Sequence, residues 1–206
     1  MYVRDAKNRE EVWLLDHIEA MDLDERAFRS RDYVVAIDEE SNVKTGFGRI
    51  RIHAGDEEDR PRSASGRRSR AGDYCEITSI GVLDGWRGQG VGAHVVERLV
   101  STARDRGFDE AYVLTDQPNY FTQFGFRGVA ADALPEVLRE RLEEKREASD
   151  ERVVALAIDT DRFRMPETLR ERFKVAAEDR EAEPQEAAED FGIDPDTATY
   201  KYDTGR

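Results

Sequence analysis

The stretch that most limits what this chain can become runs from Cys75 to Ala93, CEITSIGVLDGWRGQGVGA. A strand-like run stops at Asp84-Gly85 and passes through Gly88, Gly90 and Gly92 into a helix. Glycines there remove the β-carbons that would hold a ligand off the main chain, so consecutive N–H groups at the helix start can face an anion. Arg87 adds a fixed positive charge beside them. In the helix, Val91, Val95, Val96, Leu99, Val100 and Ala103 share one face. Glu97, Arg98, Thr102 and Arg104 share the other, and Gly107 stands where a left-handed C′ residue is wanted. Glu110 to Thr115 (EAYVLT) is the next strand, so strand, glycine turn, helix and strand form one crossover unit, expected right-handed.

Two glycine codes compete for this turn. As G-x-G-x-x-A (Gly88, Gly90, Ala93) it nearly meets the dinucleotide fingerprint, with Asp116 as the acidic residue that code asks for after the next strand. As R-x-x-G-x-G (Arg87, Gly90, Gly92) it resembles the acetyl-CoA pyrophosphate loop of the GNAT superfamily of acyl-CoA-dependent N-acetyltransferases. The flanks favour the second. Glu76 to Val82 matches the superfamily's E-I-x-x-I-x-V strand, and Asn119 to Phe126 (NYFTQFGF) matches its aromatic helix closing in G-F. A dinucleotide fold would also place its turn near the start of the domain, whereas about 80 residues precede this one.

The resemblance covers about residues 1 to 160, with its specific motifs between 75 and 129. It implies an α/β (α+β) GNAT fold: a mixed, splayed β-sheet flanked by helices on both faces, here followed by a helical or extended C-terminal extension over 161–206. Within the superfamily the motifs are most similar to the acetyltransferase domain of N-acetylglutamate synthase. The matching pieces are Glu76-Ile77, Arg87 to Gly90, Val113-Leu114-Thr115, Phe124 to Phe126 and Leu134-Pro135. No amino-acid-kinase domain accompanies them within these 206 residues.

Acyl transfer from a thioester to an amine needs a deprotonated amine, stabilisation of the oxyanion and a proton for the departing thiolate. The resemblance implies Glu76 as the base, acting through water, with burial expected to raise its pKa; the plainer reading is a salt-bridged or edge-exposed glutamate. It also implies that backbone groups of Ile80, Gly81 and Val82 pair with the pantetheine arm, one N–H polarising the thioester carbonyl. For that, this strand and Glu110 to Thr115 must diverge, which a bulge can achieve. By the same resemblance Arg87, Gly88, Gln89, Gly90, Val91, Gly92 and Ala93 hold the diphosphate, Asn119 hydrogen-bonds the arm, and Phe121 belongs to the cofactor site. The superfamily's tyrosine acid falls at Phe121 here, with Tyr120 one residue earlier. One helical step turns a side chain by about 100 degrees, so Tyr120 faces either the thiol or the core.

The implied reaction takes acetyl from acetyl-CoA, as co-substrate, to a primary amine by direct attack in a ternary complex, leaning to a small amino-acid-like acceptor. Two alternatives stand beside it: acetylation of a protein or peptide, and a non-catalytic acyl-CoA-binding sensor or interaction module.

Charge narrows the setting. The chain carries 46 acidic and 32 basic residues for a net charge of −14, and only Lys7, Lys44, Lys145, Lys174 and Lys201 are lysine. An acidic, arginine-for-lysine surface suits molar salt, which screens self-repulsion, and points to a halophilic cytoplasm; an ordinary acidic protein is the bland reading. Such acidity argues against a nucleic-acid partner. Cys75 is the only cysteine, so no intrachain disulfide forms and a reducing compartment is expected. No apolar run approaches a membrane span, and the N-terminus shows no signal-peptide core. His17, His53 and His94 are scattered without ligand spacing, so no metal site is expected.

The remaining elements read in order. Tyr2 to Arg4 is a short strand, and Asn8 with Glu11 resembles a capping pair for a helix to Met21 that buries Val12, Leu15, Ile18 and Met21. A second short helix is expected over Glu25 to Arg29. The resemblance implies that these two helices wall the acceptor site. Asp32 to Glu40 and Val43 to His53 alternate as a hairpin turning at Ser41-Asn42.

The charged stretch 55–73 reads as a loop, either an arginine cluster near the CoA phosphates or a solvated insertion. Phe126 to Val129 and Val153 to Asp159 read as strands, with a charged helix opening at Pro135 between them. Met165 to Phe173 (MPETLRERF) echoes Leu134 to Leu142 (LPEVLRERL) 31 residues on, expected as two helices with similar starts and surface charge. Thr197 to Asp203 has strand character. It leaves two readings open: pairing with an edge of its own sheet or of a second copy in a homodimer, or a disordered tail.

Overall fold

The computed structural model describes residues 1–55, 72–148 and 152–176. Most of the charged 55–73 stretch, and Thr197 to Asp203, lie outside the described residues. Four strands form an antiparallel meander: β1 (Tyr2–Asp5), β2 (Tyr33–Ile37), β3 (Lys44–Ala54) and β4 (Asp73–Val82). Helix α1 (Glu11–Ala20) lies between β1 and β2 in the chain. From β4 the chain crosses through α2 (Val91–Asp105) to β5 (Glu110–Thr115), which pairs parallel to β4. A short helix α3 (Pro118–Thr122), strand β6 (Arg127–Val129) and helix α4 (Glu136–Ala148) follow. Strand β7 (Val154–Asp159) then inserts antiparallel between β5 and β6, giving the order β1-β2-β3-β4-β5-β7-β6. The chain closes its described part with α5 (Glu167–Val175).

The sheet is covered on both faces, which is why all five residues of β2 are buried. On one face α2, α3 and α5 pack against Val34, Ala36, Ile50 and Ile77. On the other, α1 sits over Tyr33, Val35 and Phe47, while α4 sits over Tyr112, Leu114 and Ala155. Strand alternation therefore turns Phe47, Arg49, Arg51 and His53 of β3 toward the α1 and α4 face, and Ile50 and Ile52 toward α2.

Local capping explains where elements stop. Gly107, at φ +88, ends α2, and the Phe108 amide reaches back to the Ala103 carbonyl at 3.0 Å. The start of α1 differs from expectation. Glu10, not Glu11, reaches back, accepting from the Lys7 amide at 2.8 Å while Arg4 grips the same carboxylate. The buried stripe shifts with it to Leu14 and Ile18, and Val12 is 70% exposed. The helix expected at Glu25 to Arg29 does not form: the chain turns there, with Ala27 at φ +52, because Arg49 and Ser79 take the carbonyls of Asp24 and Arg26.

Strands β4 and β5 pair only at Cys75 with Ala111 and at Glu76 with Tyr112, then part. Beyond that fork, β4 bulges against β3, the register slipping between Phe47 and Arg49, with Ser79 at φ +49. Cys75 is fully buried at the fork, and burial pushes its thiol up to about 12. Part of the extension expected over 161–206 packs on the domain expected over 1–160. Phe173 of α5 is buried in the α2-side core and stacks on His94 of α2 at 3.7 Å between ring centres, and Arg170 bonds Glu97 at 2.9 Å.

Candidate active site

The fork opens a cavity of about 1030 Å³ that follows β4 from Ile77 to Val82 and ends at the glycine turn. At the turn, Gly90 is the N-cap of α2, so the first amides of that helix have no intrahelical acceptor and stand ready for an anion. Arg87, Gly88, Gly90, Val91, Gly92 and Ala93 all line the cavity, as do Ile80, Val82, Tyr120 and Phe121. Three residues expected at the cofactor do not. Gly81 faces the rings of Phe47 and the sulfur of Met21, where a β-carbon would come within 2.7 Å. Gln89 turns back to donate to the Gly85 carbonyl at 2.9 Å, and Asn119 points to solvent.

The three turn glycines have separate causes. At Gly88 a β-carbon would meet nothing within 4 Å and would stand in the opening, as expected for a ligand approach. At Gly90 it would lie 2.3 Å from the Leu169 carbonyl of α5, and at Gly92 it would lie 2.7 Å from the Tyr120 hydroxyl. Gly90 and Gly92 thus admit neighbouring protein atoms. Tyr120, whose direction was open, faces the cavity beside the first turn of α2, and burial lifts its phenol to about 12.

At the other end the wall is ionic. Glu76 has no exposed surface and accepts from His53 Nε2 at 2.8 Å, with Lys145 Nζ at 3.4 Å and Arg141 Nε at 3.7 Å. Burial alone would raise this carboxyl, as expected from the sequence. The partners reverse the sign: His53, Lys145 and Arg141 together hold it down at about 2. Glu76 is therefore a fixed anion under the cavity floor, anchoring two cations that line the cavity above it.

Asp24, in the turn after α1, is a second anchor. Its carboxylate takes Arg49 at 3.4 Å, Arg51 at 3.3 Å and Arg141. The Arg49 guanidinium, 1% exposed, also donates to the carbonyls of Asp24 at 3.0 Å and Arg26 at 2.9 Å. Glu144 closes the rim with Arg26 at 2.6 Å and Arg141 at 3.3 Å. Arg26, Arg49, Arg51, Arg141 and Lys145 thus share three carboxylates, Asp24, Glu76 and Glu144, and of the cations Arg26, Arg141 and Lys145 line the cavity, together with the carboxylates of Asp22, Asp24, Asp116 and Glu144.

None of these cations was singled out from the sequence, nor was the pairing of His53. The available signal was R-I-R-I-H in a strand flanked on both sides by covered strands, where a charged face has to be paired. Among the described residues no cluster could hold a metal ion, and no helix is long and apolar enough to cross a membrane.

Comparison with known proteins adds the family. The model of a family described as Acetyltransferase (GNAT) family matches residues 2–126. An uncharacterized N-acetyltransferase of Chlorobaculum tepidum is 30% identical over 62 residues, 30% of this chain, which spans 40% of that relative's length. N-acetylglutamate synthase of Neisseria gonorrhoeae, solved with coenzyme A and N-acetyl-glutamate, superposes at a TM-score of 0.53 with 15% identity, over 75% of this chain and 34% of that one. A Mycobacterium tuberculosis protein solved with CoA gives a TM-score of 0.55 at 15% identity, over 77% of this chain and 99% of its own. These likenesses show the same fold.

Proposed function

The chain belongs to the acetyltransferase (GNAT) family, and on that premise we propose that its cleft moves acetyl from acetyl-CoA to the primary amine of a small acceptor bearing a carboxylate. The observation that carries this is the continuity of one cavity from the glycine turn to the Arg141 and Lys145 cluster. A polyanionic donor suits the first end and an anionic acceptor group the second.

In this reading the diphosphate lies on the amides at the start of α2 beside Arg87. The pantetheine arm then runs along β4, whose backbone has no ladder partner in β5 beyond Glu76. The acceptor's carboxylate meets Arg141 and Lys145, which sets its amine toward the thioester. The neutral amine attacks the carbonyl carbon, the carbon–sulfur bond breaks, and the proton lost from nitrogen ends on the thiolate. Tyr120, kept protonated at neutral pH by its burial, lies beside the first turn of α2, and in this reading it donates toward that sulfur. Glu76, held near 2, takes no proton in this state; it acts by positioning Arg141 and Lys145. The amino-acid lean of the N-acetylglutamate synthase resemblance agrees with this end of the cleft, and the acidic, lysine-poor surface agrees with a cytoplasm of concentrated salt.

The test is thiol release from acetyl-CoA in molar KCl against amino acids, their decarboxylated amines and short peptides. Free amino acids are expected to exceed their decarboxylated counterparts in kcat/KM by at least tenfold. Equal rates for each pair, or a preference for peptides, would overturn the acceptor assignment. Binding of CoA without release against any amine would overturn catalysis itself.

A further inference from the structure

The echo between Leu134–Leu142 and Met165–Phe173 places two arginines in one cleft. Residue eight of each copy, Arg141 in α4 and Arg172 in α5, lines the same cavity, Arg141 at the ionic end and Arg172 at the glycine turn. In each copy the next residue is the buried anchor, Leu142 at 1% exposure and Phe173 at 6%. Both helices thus present an arginine to the opening from the edge of a packed face.

The partners of the α5 cations separate their tasks. Arg170 is held by Glu97 at 2.9 Å and Lys174 by Glu171 at 2.6 Å. Arg172 has no carboxylate among the described residues; its one polar contact is a donated bond of 3.4 Å to the Gly88 carbonyl. That bond occupies one of five N–H donors and keeps the guanidinium at Gly88, the residue after Arg87 and the one turn glycine whose missing β-carbon leaves open space. The helix that carries it is fixed: Leu169 closes on Gly90, Phe173 stacks on His94, and Arg170 is tied to α2. A cation so placed, without a protein anion, in a chain of net charge −14, calls for an anionic ligand.

We propose that Arg172 is a donor-binding residue, holding a phosphate of the acyl-CoA nucleotide together with Arg87 beside Gly88. The assignment rests on acetyl-CoA being the donor, but it brings in an element that begins at Glu167, beyond the last residue the family model matches, Phe126. It makes α5 part of the cofactor site.

Kinetics of Arg172→Ala and Arg172→Lys against wild type, with acetyl-CoA, 3′-dephospho-acetyl-CoA and acetyl-pantetheine, test this. Arg172→Ala is expected to raise KM for acetyl-CoA at least tenfold with kcat within twofold, and Arg172→Lys, a charge without the fork, to fall between. With acetyl-pantetheine, which has no phosphate, variant and wild type should coincide. A penalty that persists on the dephospho donor assigns Arg172 to the diphosphate; one that vanishes assigns it to the 3′-phosphate. An unchanged KM for acetyl-CoA, or an equal penalty on acetyl-pantetheine, overturns the proposal. Failure of the wild type to use acetyl-CoA at all would instead remove the donor assignment beneath it. Arg172 is exposed, so the fold should survive its loss, and Arg172→Gln repeats the measurement if Arg172→Ala does not fold.

Discussion

At the glycine turn the wall of the cleft is mostly main chain, with the amides of α2 exposed and Arg87 and Arg172 beside them. At the Asp24 end it is side chain: Asp24, Arg26, Arg141, Glu144 and Lys145 line it, backed by Arg49, Arg51 and Glu76, so that β3, β4, α4 and the turn after α1 all contribute. The first kind of wall takes its amides from one short segment, with Arg172 added from α5, and its binding groups cost little desolvation. The second needs distant parts of the chain to meet, and each buried charge is tolerable only while its partners remain. The same cleft therefore takes most of its binding groups from one local segment at one end and all of them from distant parts of the chain at the other.

The largest test removes a partner from the ionic end. Arg141, 6% exposed, bridges Glu76 and Asp24, so Arg141→Met should cost about 3 kcal/mol or more by urea unfolding in molar KCl and should raise acceptor KM. A loss below about 1 kcal/mol would show that the network is not coupled as described.

Acid titrates the same end next. The carboxyl of Glu76 falls from an ordinary 4.5 to about 2 on folding, so the folded chain binds this proton less tightly than the unfolded one. The stabilisation is full above about pH 4.5 and is lost as pH falls toward 2, of order 3 kcal/mol in all. Glu10, drawn down to about 2 mainly by its bond to Arg4, adds the same sign. In Glu76→Gln the slope between pH 4.5 and 2 should shrink without vanishing, leaving the part that belongs to Glu10 and to Asp38, where burial is outweighed and Ser41 holds the carboxylate down. An unaltered slope would mean that Glu76 is not held as an anion.

The smallest effects separate the glycines of the other end. Gly90→Ala, strained at φ +79 and pressed on the Leu169 carbonyl, should cost about 2 to 3 kcal/mol. Gly88→Ala should cost only about 1 kcal/mol, yet raise KM for acetyl-CoA more, since its methyl stands in the opening. Equal stability losses would show that α5 does not press on the turn in solution.

This contrast also decides what could be read in advance. The strand, glycine turn and α2 are short-range features with strong periodicity, and their order follows from them, whereas the fork beyond Glu76 is implied only by the family resemblance. Asp24 carries no such mark, because its role depends on β3 and α4 arriving 25 and 117 residues later in the chain. Arg49 and His53 look like the wet face of a hairpin until α1 and α4 cover that face. The direction of the Glu76 shift could not be read either, since it depends on which cations approach; burial was foreseeable and its compensation was not. The phase of α1 is not set by its own sequence, since Val12 and Leu14 suit either stripe, and only the packing against Tyr33 and Val35 chooses.

One buried sulfur gives the molecule its own gauge. Cys75 sits a single residue before the fork and is the chain's only thiol, so a disulfide reagent used to count liberated CoA meets no competing protein signal while the sheet is closed. Its slow labelling, followed in the absence of substrate, then clocks how often the junction of the two half-sheets breathes.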